Sequence, residues 1–290
     1  MSIQMIDTPV ALTFIPDVPY GEADGTRLLL DVVCPPDPSS TLRPAVIWLH
    51  GFGWFAGSRR DKLEVSLCTF LAAHGFFTVT IEYRLSGEAP FPAQLHDVKA
   101  AIRWLRAHAA PYHIDPEHIG IWGASAGGHL AALAGLTGDV PALEGRSGSP
   151  GLSSRVQAVV VASAPSDFLR PGGALRNDRD GPVSWLFGGT VAEKEALMRS
   201  GSPLSHVSPA APPFLIAHGT LDETVPFEQA EHLYHALVRA GVEAELIPVE
   251  GVYHNWTTQV EQITRRADTW KVGPMALPFF QKHLMPRANV

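Results

Sequence analysis

The stretch HIGIWGASAGGHLAALA, from His118 to Ala134, decides the reading of this chain. It opens on a short apolar run, HIGIW, with the length and composition of a buried strand. It closes on GHLAALA, which continues as a helix. Between them Gly123-Ala124-Ser125-Ala126-Gly127 fits G-x-S-x-G. A strand turning sharply into a helix holds the central serine on a tight, strained corner, hydroxyl exposed, while small neighbours let adjacent backbone approach. The helix N-terminus beneath it favours developing negative charge. The competing reading is a Gly/Ser turn that merely caps a helix. The strand before it and the candidate partners downstream weigh against that.

Outward from this segment, apolar β-branched runs alternate with amphipathic ones. Strands are expected at Ala45–His50, Phe77–Tyr83, His118–Trp122, Ala158–Ser163, Phe214–His218 and Ala244–Val249. Continuous apolar runs of this length suit strands buried on both faces of a parallel sheet. The clearest helix is Pro92–Ala109, where Leu95, Val98, Ile102 and Leu105 share a face and Pro92 suits the first turn. Repeated strand, helix, strand predicts an α/β fold with a mostly parallel central sheet flanked by helices. Leu28–Val33, after the turn at Ala23–Thr26, predicts an antiparallel edge hairpin. Pro35–Pro44 reads as a loop, and Gly138–Ser154 is rich in Gly, Pro and Ser. Residues 165–213 are too many for a plain connection. They carry Trp185, Leu186, Phe187 and a helical stretch over Val191–Arg199, so they read as a small lid-like insertion. One domain over residues 1–290 with this insertion is the simplest organisation.

Three other strand ends carry groups that complete the chemistry of a nucleophilic serine. His50-Gly51-Phe52-Gly53-Trp54 ends the strand before it. Main-chain amides in a glycine-permissive loop bind a tetrahedral oxyanion well, and the expected donors are the amides of Phe52, Gly53 and Ala126. Downstream of an elbow serine the motif places an acid and then a histidine. Asp222 follows the strand FLIAH, and His254 follows AELIPV. His254 is the expected base and Asp222 its orienting acid, with Asp167, after AVVVAS, the second candidate for the acid. Asp222 equally suits a helix cap, and most of the 13 histidines have no catalytic role. Gly51–Ala56 also fits G-x-G-x-x-A, with Glu82 ending the next strand, as in dinucleotide binding. Bulky Trp54 and Phe55 and a helix starting only near Asp61 argue against it. His232 and His235 lie three apart on a predicted helix without a third ligand, so no metal is expected.

Composition narrows the function classes. The 290 residues carry 22 Lys plus Arg against 29 Asp plus Glu, a net charge of −7. Phosphate neutralisation needs a basic face, so nucleic acid is not an expected partner. No apolar run reaches the roughly 20 residues that span a bilayer. The first 16 residues lack the basic start of a signal peptide, so a cytoplasmic location is expected. Cys34, in an expected loop, and Cys68, in an expected helix, read as reduced thiols.

With these residues in place, the sequence resembles a carboxylesterase of the α/β-hydrolase superfamily, in the group that includes BD-type feruloyl esterases. It is similar, more distantly, to hormone-sensitive-lipase-like esterases and kynurenine formamidases. The matching residues are His50–Trp54, Tyr83-Arg84-Leu85, Ala89–Ala93, Asp97–Ala101, Arg103-Trp104-Leu105, the elbow Gly123–Ala131, Asp222 and His254. They are distributed over roughly residues 25–285, and together they are specific. The common glycine after the oxyanion His-Gly is here Phe52, and the usual Gly-His-Gly is Tyr253-His254-Asn255. Tyr83, Arg84 and Asp97 are expected to hold neighbouring loops. The resemblance implies a serine esterase without cofactor, acting on small-molecule carboxylic esters. Trp54, Phe55, Trp185, Phe187 and Trp256 are expected to line a pocket for short or aryl esters. An arylformamidase-type amidase and a non-catalytic binding protein are the alternatives, and a homodimer is compatible with either reading.

Overall fold

The computed structural model describes residues 11–36, 41–138, 140–170, 172–173, 179–256 and 273–285. The first ten residues, the middle of the Pro35–Pro44 loop and part of the 165–213 insertion thus lie outside the described residues. Strands β1 (Thr13–Ala23) and β2 (Thr26–Cys34) form the expected hairpin, with Ala23 opposite Thr26. Asp24 and Gly25 both have positive φ, as a two-residue turn between twisted strands requires. Cys34 closes β2 rather than lying in a loop, because its strand pairs on through Val33 to β4.

The strands that follow are β3 (Arg43–Leu49), β4 (Phe77–Ile81), β5 (Ile114–Ala124), β6 (Ala158–Ala162), β7 (Phe214–Gly219) and β8 (Ala244–Val249). The sheet order is β1-β2-β4-β3-β5-β6-β7-β8, and every pairing from β4 onward is parallel. Helices α1 (Lys62–Ala73), α2 (Ala93–Ala107), α3 (Ala109–Tyr112), α4 (Ala126–Leu136), α5 (Pro182–Phe187), α6 (Val191–Gly201), α7 (Glu228–Arg239) and α8 (Gly273–Leu284) accompany them, with short 3-10 helices at Pro141–Leu143 and Pro203–His206.

Side chains alternate across each strand, so the sheet feeds two cores. Ile47 and Val161 pack with Val98, Leu130 and Leu233 of α2, α4 and α7. Val46 and Val160 pack with Leu67 and Phe280 of α1 and α8. The inner strands β4 and β6 are buried at every residue. The last strand departs from that expectation: β8 is half-exposed, with Glu245 and Pro248 facing solvent. It is the sheet edge, where a proline costs no ladder bond.

Helix α2 buries Leu95, Val98, Ile102 and Leu105 as expected, but also Asp97, Lys99 and Arg103. Their charges are paired: Asp97 with Arg84, and Lys99 and Arg103 with Glu144 of the 138–154 segment. Pro92 stands immediately before the helix rather than within its first turn. No described helix is long and apolar enough to cross a membrane.

Candidate active site

Parallel strands deliver their following loops to one edge, and the ends of β3, β5, β7 and β8 bring the expected residues together there. Ser125 stands between β5 and α4 at φ 52°, ψ −119°. Two main-chain bonds hold it there: its amide donates to the Ala162 carbonyl at 2.8 Å, and its carbonyl accepts from the His129 amide at 2.9 Å. A Cβ at Gly127 would collide with the carbonyl oxygens of Leu49 and His50, so the elbow seats against β3 only with glycine there.

Ser125 Oγ lies 2.9 Å from His254 Nε2, and His254 Nδ1 lies 2.8 Å from Asp222 Oδ2. The other carboxylate oxygen, Oδ1, accepts the amides of Thr224 at 3.0 Å and Val225 at 2.8 Å. Burial by itself raises the pKa of Asp222. The bonds from His218, His254 and the Val225 amide outweigh it and hold the carboxyl well below the usual carboxylate range, so it is ionised. The loops carrying Asp222 and His254 are laced together, with the Leu221 amide on the Val252 carbonyl at 3.0 Å. A side chain at Gly219 would strike that same carbonyl.

His218 escaped the sequence reading. It is buried at the end of β7, its Nε2 2.8 Å from the Val225 carbonyl and 3.2 Å from Asp222 Oδ2. Asp222 thus faces two imidazoles, and the only sequence signal is a histidine four residues upstream on an apolar strand. Asp167 is not in this constellation. Its carboxylate accepts the Leu169 amide at 2.9 Å, and its own amide is held by Gln229.

The loop after β3 runs through three consecutive positive-φ residues, Phe52, Gly53 and Trp54. Among the described residues, the amides of Phe52, Gly53 and Ala126 are not taken up by hydrogen bonds. Trp54 is buried, and its indole Nε1 donates to His129 Nδ1 at 3.1 Å. His129 Nε2 in turn lies 2.8 Å from the Gly201 carbonyl. Tyr83 stacks on His50 and donates to its carbonyl at 2.9 Å, while Arg84 forks onto Asp97. Helix α1 begins well beyond the glycines, and Glu82 pairs with Arg59 at 2.7 Å. The helix that follows β3 therefore does not start at this loop, and a dinucleotide site is not built.

A cavity of about 420 Å³ opens at Ser125 and His254. Trp54, Phe55 and Trp256 line it, in a mostly apolar wall with Leu67, Ala162 and Pro165. Two expected pocket residues lie elsewhere. Phe187 is in the core against Phe91 and Phe168, because α5 turns its apolar face inward. Trp185, on the opposite face, is exposed and packs edge-on against the outer side of Phe55. His232 and His235 are exposed on α7, and no cluster of metal-ligating side chains occurs among the described residues.

Comparison with known proteins agrees with this geometry. A mycobacterial relative, the probable carboxylic ester hydrolase LipM of Mycobacterium tuberculosis, is 36% identical over 74% of this chain and 49% of its own length. The chain spans about half the length of the curated relatives it matches first. Among solved structures, a truncated carbohydrate esterase from gut microbiota is 33% identical with a TM-score of 0.76, covering 87% of this chain and 94% of that one. The propionate-bound thermophilic esterase Est2 of Thermogutta terrifontis is 30% identical, also at 0.76, covering 94% and 96%. The BD-FAE family model matches residues 30–237. With an elbow serine, a mostly parallel sheet and that match over most of its length, the chain belongs to the BD-FAE family and has the α/β-hydrolase fold.

Proposed function

We propose that the protein is a serine carboxylesterase that hydrolyses short-chain or aryl carboxylic esters through an acyl-enzyme. The observation that carries this reading is the unbroken run of contacts from Ser125 Oγ through His254 to Asp222, opening on an apolar cavity. Ser125 Oγ attacks the ester carbonyl while His254 Nε2 takes its proton, and ionised Asp222 stabilises the imidazolium. The Phe52, Gly53 and Ala126 amides stabilise the oxyanion. His254 then protonates the departing alcohol, and water repeats the sequence to release the acid. Ester hydrolysis in the relatives' names supports the same assignment. Residues 165–213 act as the lid-like insertion, since Pro182 lines the cavity and Trp185 abuts Phe55. Two free, buried thiols support a reducing, cytoplasmic setting.

The test is hydrolysis of p-nitrophenyl acetate and butyrate by the wild type beside Ser125→Ala, with circular dichroism to verify the fold. Turnover in the wild type that vanishes in the variant is expected, and equal turnover in both would overturn the mechanism. An N-formyl arylamine run alongside separates ester from amide preference.

A further inference from the structure

The cavity wall is mostly apolar, but beyond Ser125 and His254 it holds a buried carboxyl. Glu64, in the first turn of α1, lines it at 3% exposure, and its Oε2 has no hydrogen-bond partner. Trp48, on β3, and Ser163, just past β6, line the same cavity, and Trp48 Nε1 and Ser163 Oγ are likewise buried without partners. Burial pushes the Glu64 carboxyl up to about 7, against the lowering pull of its own amide and of the nearby Trp48 indole, while Glu64 Oε2 and Trp48 Nε1 have no partner in hydrogen-bonding geometry. Ser163 is held at φ 48°, a conformation that costs a non-glycine residue free energy. A buried polar atom without a partner is rare in a native protein, and three around one cavity point to a group that enters from outside.

We propose that Glu64, with Trp48 and Ser163, is a specificity element that recognises a hydroxyl group on the arm of the ester that fills the cavity. A hydroxyl both donates and accepts. It can donate to Glu64 while accepting from the Trp48 indole or the Ser163 hydroxyl. It also suits the carboxyl in either protonation state, whereas an ammonium requires the ionised form and offers Trp48 nothing to donate to. A site built to bond a substrate hydroxyl discriminates strongly against the analogue lacking it, because its own polar groups are then left unpaired. This assignment rests on the esterase reading of the same cavity.

The test compares isosteric pairs in which a terminal hydroxyl replaces a methyl. Methyl 6-hydroxyhexanoate against methyl heptanoate probes the acyl arm, and 6-hydroxyhexyl acetate against heptyl acetate the alcohol arm. Preference for the hydroxyl member of at least one pair, roughly tenfold or more in kcat/KM, is expected in the wild type. Glu64→Leu should abolish it and Glu64→Gln should retain part of it. Calorimetric binding of the same pairs to Ser125→Ala gives the comparison without turnover, and p-nitrophenyl acetate hydrolysis by the wild type reports the esterase reading separately. No preference in either pair by kinetics or calorimetry would overturn the proposal, while acetate turnover would leave the esterase reading standing. Tighter binding of a 6-aminohexanoyl ester than of its hydroxyl counterpart would overturn the choice of a hydroxyl. Both results come from proteins with Glu64 intact, so they stand even if Glu64→Leu fails to fold.

Discussion

Trp54 Nε1 donates to Nδ1 of His129 at 3.1 Å, tying the loop after β3 to the first turn of the helix that follows Ser125. The bond spans 75 positions of sequence. It requires a neutral His129, and burial lowers the pKa of that ring to about 4. The loop that carries the Phe52 and Gly53 amides is thereby locked to the elbow that presents Ser125.

Replacing His129 by leucine leaves the Trp54 indole and the Gly201 carbonyl unpaired, and should cost roughly 1–3 kcal/mol at neutral pH. The folded pKa lies below the unfolded value of about 6.5, so the unfolded chain takes up the proton first as pH falls. The wild type should therefore lose up to roughly 3 kcal/mol from this group between about pH 6.5 and 4, a loss absent from the variant. Urea unfolding of both proteins at pH 7.5 and 4.5 checks this. A stability difference that does not shrink toward acid would contradict it.

Asp222→Asn should lower kcat/KM for p-nitrophenyl butyrate by about 10³–10⁴-fold, because the amide no longer stabilises the imidazolium or fixes its tautomer. The native carboxyl titrates below its unfolded value. Its stabilisation is present above the unfolded pKa of about 3.9 and is lost only as pH falls toward the folded one. The stability gap between wild type and variant should thus stay constant from pH 8 to 5, which denaturation at several pH values would show.

Ser125→Gly should stabilise the protein by about 1 kcal/mol while abolishing ester turnover. The elbow forces a non-glycine residue to positive φ, and that strain is relieved when Cβ is removed. Phe52→Gly should act in the same direction, since Phe52 also sits at positive φ and is 61% exposed. Melting temperatures decide both, and a destabilised Ser125→Gly would mean that the Ser125–His254 bond outweighs the strain.

Neither thiol should react with a maleimide while the protein is folded. Cys68 is buried and its pKa is pushed up to about 12, and burial also raises that of Cys34. A thiol without thiolate or access is inert. Mass spectrometry before and after adding denaturant should show no label and then two; labelling of the native protein would refute this.

Much of the architecture was legible because each element is written locally. The six expected strands all occur, displaced at most by a few residues, and the elbow's glycines announce close backbone approach. The misreadings share one cause. Periodicity in α2 marked its apolar face but not that Asp97, Lys99 and Arg103 would also be buried, because their partners Arg84 and Glu144 come from other segments. Phe187 and Trp185 are two residues apart on a short helix, and only the packing of α5 sends one to the core and the other to solvent.

The sequence by itself determined the strand–elbow–helix around Ser125, the parallel α/β sheet and the chain order of serine, acid and histidine. These depend on short-range rules: steric room at glycine, the strand period and the run of apolar residues. Only the tertiary structure decided that Asp222 rather than Asp167 meets His254, that His218 and His129 support the site, and that Glu64 lies in the cavity wall. Ser125 and His254 are 129 residues apart, and the sheet order sets which strand ends become neighbours. Which way a buried side chain points is settled by everything packed around it, and no window of sequence contains that.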